Sequence, residues 1–149
     1  MNVKSASVTW TGSGKTGLGH ISTETPALSE HPYGFASRFG DPPQPGTNPE
    51  ELLAAAHAAC FTMAFSFACE KAGFSTAKLE TEAKVRLAAQ GEGFLIDQIE
   101  LSLRAEVPGM NEQRFQEIAH AAKLGCPLSK ALASVPEIRL QAELLRSTA

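Results

Sequence analysis

Three cysteines, Cys60, Cys69 and Cys126, are the most chemically reactive residues in this sequence. A thiolate can attack a peroxide, exchange with a disulfide or bind a metal, so the pairing of these thiols decides what they can do. Cys60 and Cys69 are nine residues apart in one predicted helix, which separates them by ~13 Å along the helix axis. A disulfide needs Cα atoms within ~7 Å of each other, so these two cannot pair. If the chain holds a redox couple, Cys126 must be the partner of one of them.

Cys60 lies in the middle of an apolar stretch, ELLAAAHAACFTMAFSFACE at residues 51–70. Such surroundings raise the pKa of a thiol, and the favourable dipole at the helix start fades within one turn. Cys60 is therefore either a small buried core residue or a nucleophile that needs a cation from elsewhere. Arg38 is the natural source of that cation, because its guanidinium is always charged and donates several hydrogen bonds. The alternative for Arg38 is an ordinary solvated loop charge.

Glu50 and Glu51 lie in the first turn of the same predicted helix, where carboxylates are favoured. We assign Glu51 to capping, whereas Glu50 can hold an arginine in a bidentate pair. Glu50 precedes Cys60 by ten residues, or ~15 Å of helix, so one arginine can hardly reach both within a subunit. If two such helices pack antiparallel about a dyad near Ala55, Glu50 of one chain lies level with Cys60 of the other. We therefore expect a site shared between two subunits.

Two further residues near these thiols have structural interpretations. His57 precedes Cys60 by three residues and, with Cys126, could suggest a metal site. No fourth ligand stands at a recognisable spacing and the chain has no CxxC motif, so zinc is a minor alternative. We interpret His57 as a helix-packing histidine, and Cys69, near the helix end, as a spectator.

The elements that must position these residues follow an α+β order rather than a repeating βαβ order. Asn48 is a plausible helix cap, Pro49 suits the first helical position, and Gly73 is a stop signal. We predict one domain over residues 1–149, built from five segments: N-terminal strands at 1–28, a Pro/Gly-rich irregular loop at 29–49, a central helix at 49–73, a hairpin at 77–107, and C-terminal helices and a strand at 111–145.

Composition narrows the class of protein. The chain is 43% hydrophobic and 19% charged with a net charge of −3, so we expect neither nucleic-acid nor membrane binding. The first residues lack the pattern of a secretory signal, which favours a reducing cytoplasm for the thiols. A helix that is apolar all round must be covered all round. A chain of 149 residues can hardly do this alone, which predicts a second subunit.

Three segments carry a resemblance to a known family. GTNPEELLAAAHAACFTMAFSFACEKAGF (residues 46–74) and AAKLGCPLSKAL (residues 121–132) closely resemble the OsmC/Ohr family of bacterial thiol peroxidases. PYGFASRFG (residues 32–40) is similar to the osmotically inducible protein C branch, because its arginine follows the tyrosine and phenylalanine. The resemblance runs through the whole chain in order.

The resemblance implies a fold, a site and a reaction. The fold is an intertwined homodimer with antiparallel sheets packed around two long central helices. Cys60 is implied as the peroxidatic thiol and Cys126 as the resolving thiol, with Arg38 holding the Cys60 thiolate and orienting the peroxide, and Glu50 positioning Arg38. No metal, haem or flavin is implied; an external dithiol, lipoyl-type in one branch, returns the disulfide to thiols. Cys69 departs from a strict two-cysteine pattern.

The function predicted from these observations is reduction of organic hydroperoxides to alcohols in oxidative or osmotic stress defence. The reaction passes through a Cys60 sulfenic acid and a Cys60–Cys126 disulfide. We expect Phe61, Met63 and Phe65 to form an apolar wall that favours organic over hydrogen peroxide. The alternative is a non-catalytic dimer of the same fold that binds a small molecule and whose cysteines are inert.

Overall fold

The computed structural model describes residues 2–41 and 44–146 of the chain. The chain forms two compact units, Met1–Leu52 and Leu53–Ala149. The boundary between the two units falls inside the helix at Pro49–Lys71. The single domain over residues 1–149 stays a prediction.

The first unit contains a three-stranded antiparallel sheet in the order β1–β2–β3. Its strands are β1 (Ala6–Thr11), β2 (Leu18–Thr23) and β3 (His31–Tyr33). All six residues of β1 are exposed to solvent. A strand of alternating sequence usually buries one of its two faces. In β1 neither face is covered by the described residues.

The segment at 29–49 is more ordered than its composition predicts. It contains β3 and a short helix, α1 (Phe35–Phe39), where we expected an irregular loop. The reason is a set of hydrogen bonds around buried Ser37, whose hydroxyl donates to the Thr47 carbonyl at 2.8 Å and accepts from the Gly34 N–H at 2.9 Å. Gly46 makes this approach possible, since its φ is +131° and an added Cβ would lie 2.8 Å from the Pro32 carbonyl oxygen.

The long helix, α2 (Pro49–Lys71), begins and ends with the predicted signals. Asn48 caps it, because its side chain accepts from the Glu51 N–H at 2.8 Å. At the other end Gly73, with φ of +91°, closes a Schellman motif. Its N–H donates to the Glu70 carbonyl at 3.0 Å, and the Phe74 N–H donates to the Cys69 carbonyl at 2.9 Å.

The second unit contains the predicted hairpin, two helices and the last strand. These elements are β4 (Lys78–Gln90), β5 (Gly93–Glu106), α3 (Glu112–Gly125), α4 (Pro127–Ala131) and β6 (Glu137–Leu144). The α+β class is confirmed, but one pairing differs from the antiparallel expectation. β4 and β5 are antiparallel, whereas β6 runs parallel to β5. Two parallel neighbouring strands must be joined by a long crossover connection, and α3 and α4 form that connection between β5 and β6.

One face of α2 belongs to the core of this unit. Phe61, Phe65 and Cys69 are buried completely and pack with residues of β5 and α3. Phe65 meets Phe115 edge to face, with ring centroids 5.7 Å apart. The expected apolar wall is therefore wrong for Phe61 and Phe65, which are core residues. By length and composition alone α2 could also cross a membrane, but its buried face already has protein partners.

Candidate active site

The structure brings Cys60 and Cys126 together. Cys60 lies in the middle of α2 and is half-buried, whereas Cys126 is buried at the residue that links α3 to α4. Both are free thiols, and Cys60 packs against the core cluster that contains Cys126, close enough for the Cys126 thiol to act on the Cys60 pKa. The Cys126 backbone is fixed by a 2.9 Å bond from its N–H to the Ala122 carbonyl. Two thiols in such contact can be oxidised to a disulfide after a small approach.

Opposing influences act on the Cys60 thiol. Burial, the largest influence, raises its pKa, and the neighbouring Cys126 thiol raises it further. The backbone amide of Leu128, in the first turn of α4, lies near the sulfur and lowers the pKa. The net effect is a pKa above the usual value, and no cation is among the groups that shape it in the described part of the chain. A reactive thiolate here still needs a positive charge.

Cys69 lies in the hydrophobic core, without such a partner among the residues that the structure describes. Burial raises its pKa from the ordinary 9.0 to about 11. The thiol therefore stays protonated, and chemically inert, at neutral pH. The interpretation of Cys69 as a spectator agrees with this position.

The raised pKa of Cys69 predicts a loss of stability at alkaline pH. The folded state holds this proton more tightly than the unfolded state, so the stabilisation is complete below pH 9 and is lost as the pH rises from 9.0 to about 11. Two pKa units correspond to about 2–3 kcal/mol. Urea unfolding at pH 8 and pH 11 should show a larger alkaline loss in the wild type than in Cys69→Ala. Equal losses of unfolding free energy in the two proteins would show that the Cys69 thiol is not the group responsible.

Arg38 and Glu50 form an ion pair in the first unit. The Arg38 Nε atom lies 3.0 and 3.1 Å from the two Glu50 carboxylate oxygens, to which its N–H donates, and Nη2 donates to Oε1. The guanidinium also lies over the Phe39 ring, 5.0 Å from its centroid. Glu50 is 12% exposed and Arg38 36% exposed. The pair uses two of the five N–H groups of the arginine, so the N–H groups along the other edge of a fixed guanidinium are left for another acceptor.

The two predicted pairs belong to different compact units of the chain. Arg38 with Glu50 lies in the first and Cys60 with Cys126 in the second. The neighbouring carboxylate, Glu51, accepts a 2.9 Å hydrogen bond from the Thr47 hydroxyl. Its carboxylate therefore bonds to the residue that precedes the Asn48 cap, at the start of α2, and its predicted part in a capping box with Asn48 stays a prediction.

One residue of this region, Ser129, was missed by the sequence reasoning. Its hydroxyl lies 2.8 Å from His57 Nε2, and both side chains are buried. The helix-packing interpretation of His57 agrees with this contact. Ser129 follows Cys126 by three residues, just as His57 precedes Cys60 by three. This spacing is the only sequence signal that could have revealed Ser129. Among the described residues no group of three or more His, Cys, Asp or Glu side chains could hold a metal ion.

An exposed apolar stripe on α2 runs alongside Cys60. Met63 is 60% exposed and Phe67 is 61% exposed. They follow Cys60 by three and seven residues, and such positions share one face of a helix. An open groove of about 560 Å³ lies along this stripe and is bounded by Ala58, Thr62 and Thr81 among others. Large apolar side chains left in water mark a surface that binds something.

Comparisons with known proteins show which family this chain is similar to. A family model described as OsmC-like protein matches residues 40–141. Peroxiredoxin OsmC of Escherichia coli (strain K12) is 44% identical over 135 residues, which cover 91% of this chain and 92% of that protein. The organic hydroperoxide resistance protein OhrB of Bacillus subtilis (strain 168) is 29% identical over 99 residues, 66% of this chain and 71% of that one. The crystal structure of the Bacillus subtilis OhrB superimposes with a TM-score of 0.67 and 29% identity, covering 95% of this chain and 98% of that chain.

Proposed function

Since this chain belongs to the OsmC-like family and is a thiol peroxidase, we propose that it reduces organic hydroperoxides with Cys60 as the peroxidatic and Cys126 as the resolving cysteine. The observation that carries the proposal is the contact between these two thiols beside the Leu128 N–H. One thiol is half-exposed and can meet a substrate, while the other is buried behind it.

The reaction has three steps that balance without a metal or an organic cofactor. The Cys60 thiolate attacks one peroxide oxygen, so that the O–O bond breaks, an alcohol leaves after taking up a proton, and Cys60 becomes a sulfenic acid. The Cys126 sulfur then attacks the Cys60 sulfur, and water leaves as the disulfide forms. An external dithiol, of the lipoyl type or another, reduces this disulfide by exchange. This reductant places the working protein in a reducing compartment such as the cytoplasm.

The exposed stripe of α2 supports an organic substituent on the peroxide. Met63, one turn after Cys60, offers apolar surface on the face that carries the thiol, and an alkyl or aryl group gains about 25 cal/mol for each Å² that it buries there. Hydrogen peroxide has no such group. The name of the relative OhrB of Bacillus subtilis (strain 168), an organic hydroperoxide resistance protein, points to the same substrate class.

We further propose that the active unit is a homodimer with shared sites. The exposed Phe67 of α2, two turns after Cys60, and the fully exposed strand β1 are surfaces that a second copy can cover. If two α2 helices pack antiparallel, Arg38 of the partner subunit supplies the cation that Cys60 lacks. Glu50 lies in the first turn of α2 and pairs with Arg38 of its own chain. It thereby fixes that arginine beside the Cys60 of the other subunit.

The direct test is mass spectrometry of the reduced protein after one equivalent of cumene hydroperoxide, with mapping of the cysteine peptides. The expected product is a Cys60–Cys126 disulfide formed within seconds, with Cys69 still a free thiol. Free thiols at all three positions would reject the peroxidase chemistry. They would favour the alternative of a non-catalytic binding protein of this fold.

The dimer makes a separate prediction for the α2 stripe. Phe67→Glu places a charge on the proposed interface, and burial of an unpaired charge is strongly unfavourable. Light scattering should show a dimer for the wild type and mostly monomer for Phe67→Glu. The matched control is Leu124→Glu, at a 71% exposed residue of α3, which should remain dimeric. Dissociation of both variants, or of neither, would contradict the assigned interface.

A further inference from the structure

A buried polar contact joins the two elements that carry the reactive thiols. His57 on α2 and Ser129 on α4 are 72 residues apart in sequence, yet Nε2 and Oγ are separated by 2.8 Å. His57 is 0% exposed and Ser129 is 8% exposed. His57 lies one helical turn before Cys60, and Ser129 lies three residues after Cys126. Each partner of the contact is therefore about one helical turn along the chain from one of the two cysteines.

The direction of this hydrogen bond follows from the other ring nitrogen. His57 Nδ1 is buried and has no hydrogen-bond partner among the described residues. A bare nitrogen tolerates this isolation better than an N–H group, because buried donors without acceptors are rarer than buried acceptors without donors. Burial also lowers the pKa of His57, which keeps the ring neutral. The proton therefore sits on Nε2, and Nε2–H donates to the Ser129 hydroxyl.

The contact constrains α4 more than it constrains α2. α2 is a helix of 23 residues held by the core side chains Phe61 and Phe65. α4 has only five residues, and its first turn carries the Leu128 amide that lowers the pKa of Cys60. Without the bond to His57, the Cys126 N–H keeps its bond to the Ala122 carbonyl, but α4, which follows Cys126, loses its side-chain tie to α2 and gains freedom, while Cys60 keeps its place. The second step of the reaction depends on this corner, because the two sulfurs must approach to ~2.05 Å.

We propose that the His57–Ser129 hydrogen bond is a positioning element that holds Cys126 against Cys60 and thereby sets the rate of disulfide formation. This inference rests on the proposed peroxidase function and adds two residues to its second step. In that step the Cys126 sulfur bonds to the Cys60 sulfur and the S–O bond of the sulfenic acid breaks. The hydroxyl group leaves with the Cys126 proton as water. Neither His57 nor Ser129 exchanges an atom with the reacting groups, so both are positioning residues.

The test follows both oxidation steps in the full-length protein by rapid quench and intact-mass measurement after one equivalent of cumene hydroperoxide. Sulfenic acid adds one oxygen, and the disulfide removes two hydrogens from the thiol form. In Ser129→Ala we expect disulfide formation to slow by about tenfold or more, because displacements of an ångström carry penalties of this size. Loss of the reduced thiol should slow by no more than about threefold, since it depends on α4 only through the Leu128 N–H.

Three companion variants separate positioning from general damage. Ser129→Thr keeps the hydroxyl and should restore disulfide formation to within about twofold of wild type. His57→Leu combined with Ser129→Ala leaves no buried polar orphan, so it should fold normally and still form the disulfide slowly. Thr76→Ala removes a hydroxyl that contacts Ser66 on α2 at 3.5 Å, two turns beyond Cys60, and should change neither step. An unchanged disulfide rate in Ser129→Ala, or equal slowing of both steps, would overturn the proposal.

A second oxidant distinguishes failure of this inference from failure of the peroxidase function. Glutathione disulfide exchanges with Cys60 to give a mixed disulfide and glutathione, and Cys126 then displaces the second glutathione. That displacement needs the same approach of the two sulfurs but no peroxide. The same slowing in Ser129→Ala, and recovery in Ser129→Thr, are expected even if the wild type ignores peroxides. A rate unaffected by Ser129→Ala in this assay would refute the positioning role independently.

Discussion

Cys60→Ser is expected to lower the second-order rate of cumene hydroperoxide reduction by at least about a thousandfold. Serine keeps the shape of the side chain but its hydroxyl is not ionised at neutral pH and cannot form a sulfenic acid. Loss of a covalent nucleophile costs this much or more in enzymes that use one. The rate is measured by the loss of peroxide at saturating dithiol, with the mass spectrum of the protein as a second readout.

The other two cysteines supply controls for this prediction. Cys126→Ser keeps the nucleophile, so it should consume one equivalent of peroxide rapidly and then stop or turn over slowly. Cys69→Ala removes a thiol whose pKa is raised to about 11 by burial, and its peroxidase rate should stay within about twofold of wild type. Retention of peroxidase activity in Cys60→Ser, or its loss in Cys69→Ala, would assign the chemistry to a different thiol.

The sequence predicts much of the fold where the determining forces are local. Asn48, Pro49 and Gly73 specify the ends of α2 because a cap and a left-handed glycine act within a few residues. Period-two alternation likewise predicts the β4–β5 hairpin. The helix α1 inside the proline-rich segment was not predicted, because it depends on the contact between Ser37 and Thr47, ten residues away. No local pattern encodes such a bond.

In the candidate site, too, the features that depend on local sequence are predictable, whereas contacts between distant segments are not. Physical reasoning from the sequence excludes a Cys60–Cys69 pair by helix geometry and singles out Arg38 and Glu50. The choice of Cys126 as the partner of Cys60 came from the resemblance, and the structure brings those two thiols together. Ser129 was invisible, because a serine at the start of a short helix has many ordinary roles. Only the fold places its hydroxyl against His57.

Arg38→Lys is expected to lower the rate of peroxide reduction by about a hundredfold. Lysine keeps the charge but loses the planar fork that meets Glu50 bidentately, so the cation no longer has a fixed position. Loss of one fixed donor in other active sites costs ~100- to 1,000-fold. Burial already raises the pKa of Cys60, and removal of the cation in Arg38→Met should raise it further. Iodoacetamide alkylation of Cys60 should then shift to higher pH, because less thiolate is present at each pH.

A mixed dimer decides whether this arginine acts on the cysteine of its own chain or on that of its partner. Cys60→Ser and Arg38→Met homodimers are each expected to be inactive. In a shared site, a heterodimer of the two has one intact pair, Cys60 from one chain and Arg38 from the other. Random mixing of equal amounts should therefore restore about a quarter of the wild-type activity, since half of the dimers are mixed and each has one complete site. If Arg38 acts on Cys60 of its own chain, each site of the mixed dimer lacks one of the two residues, so no activity would return. That result would reject the shared site while leaving the chemistry of Cys60 intact.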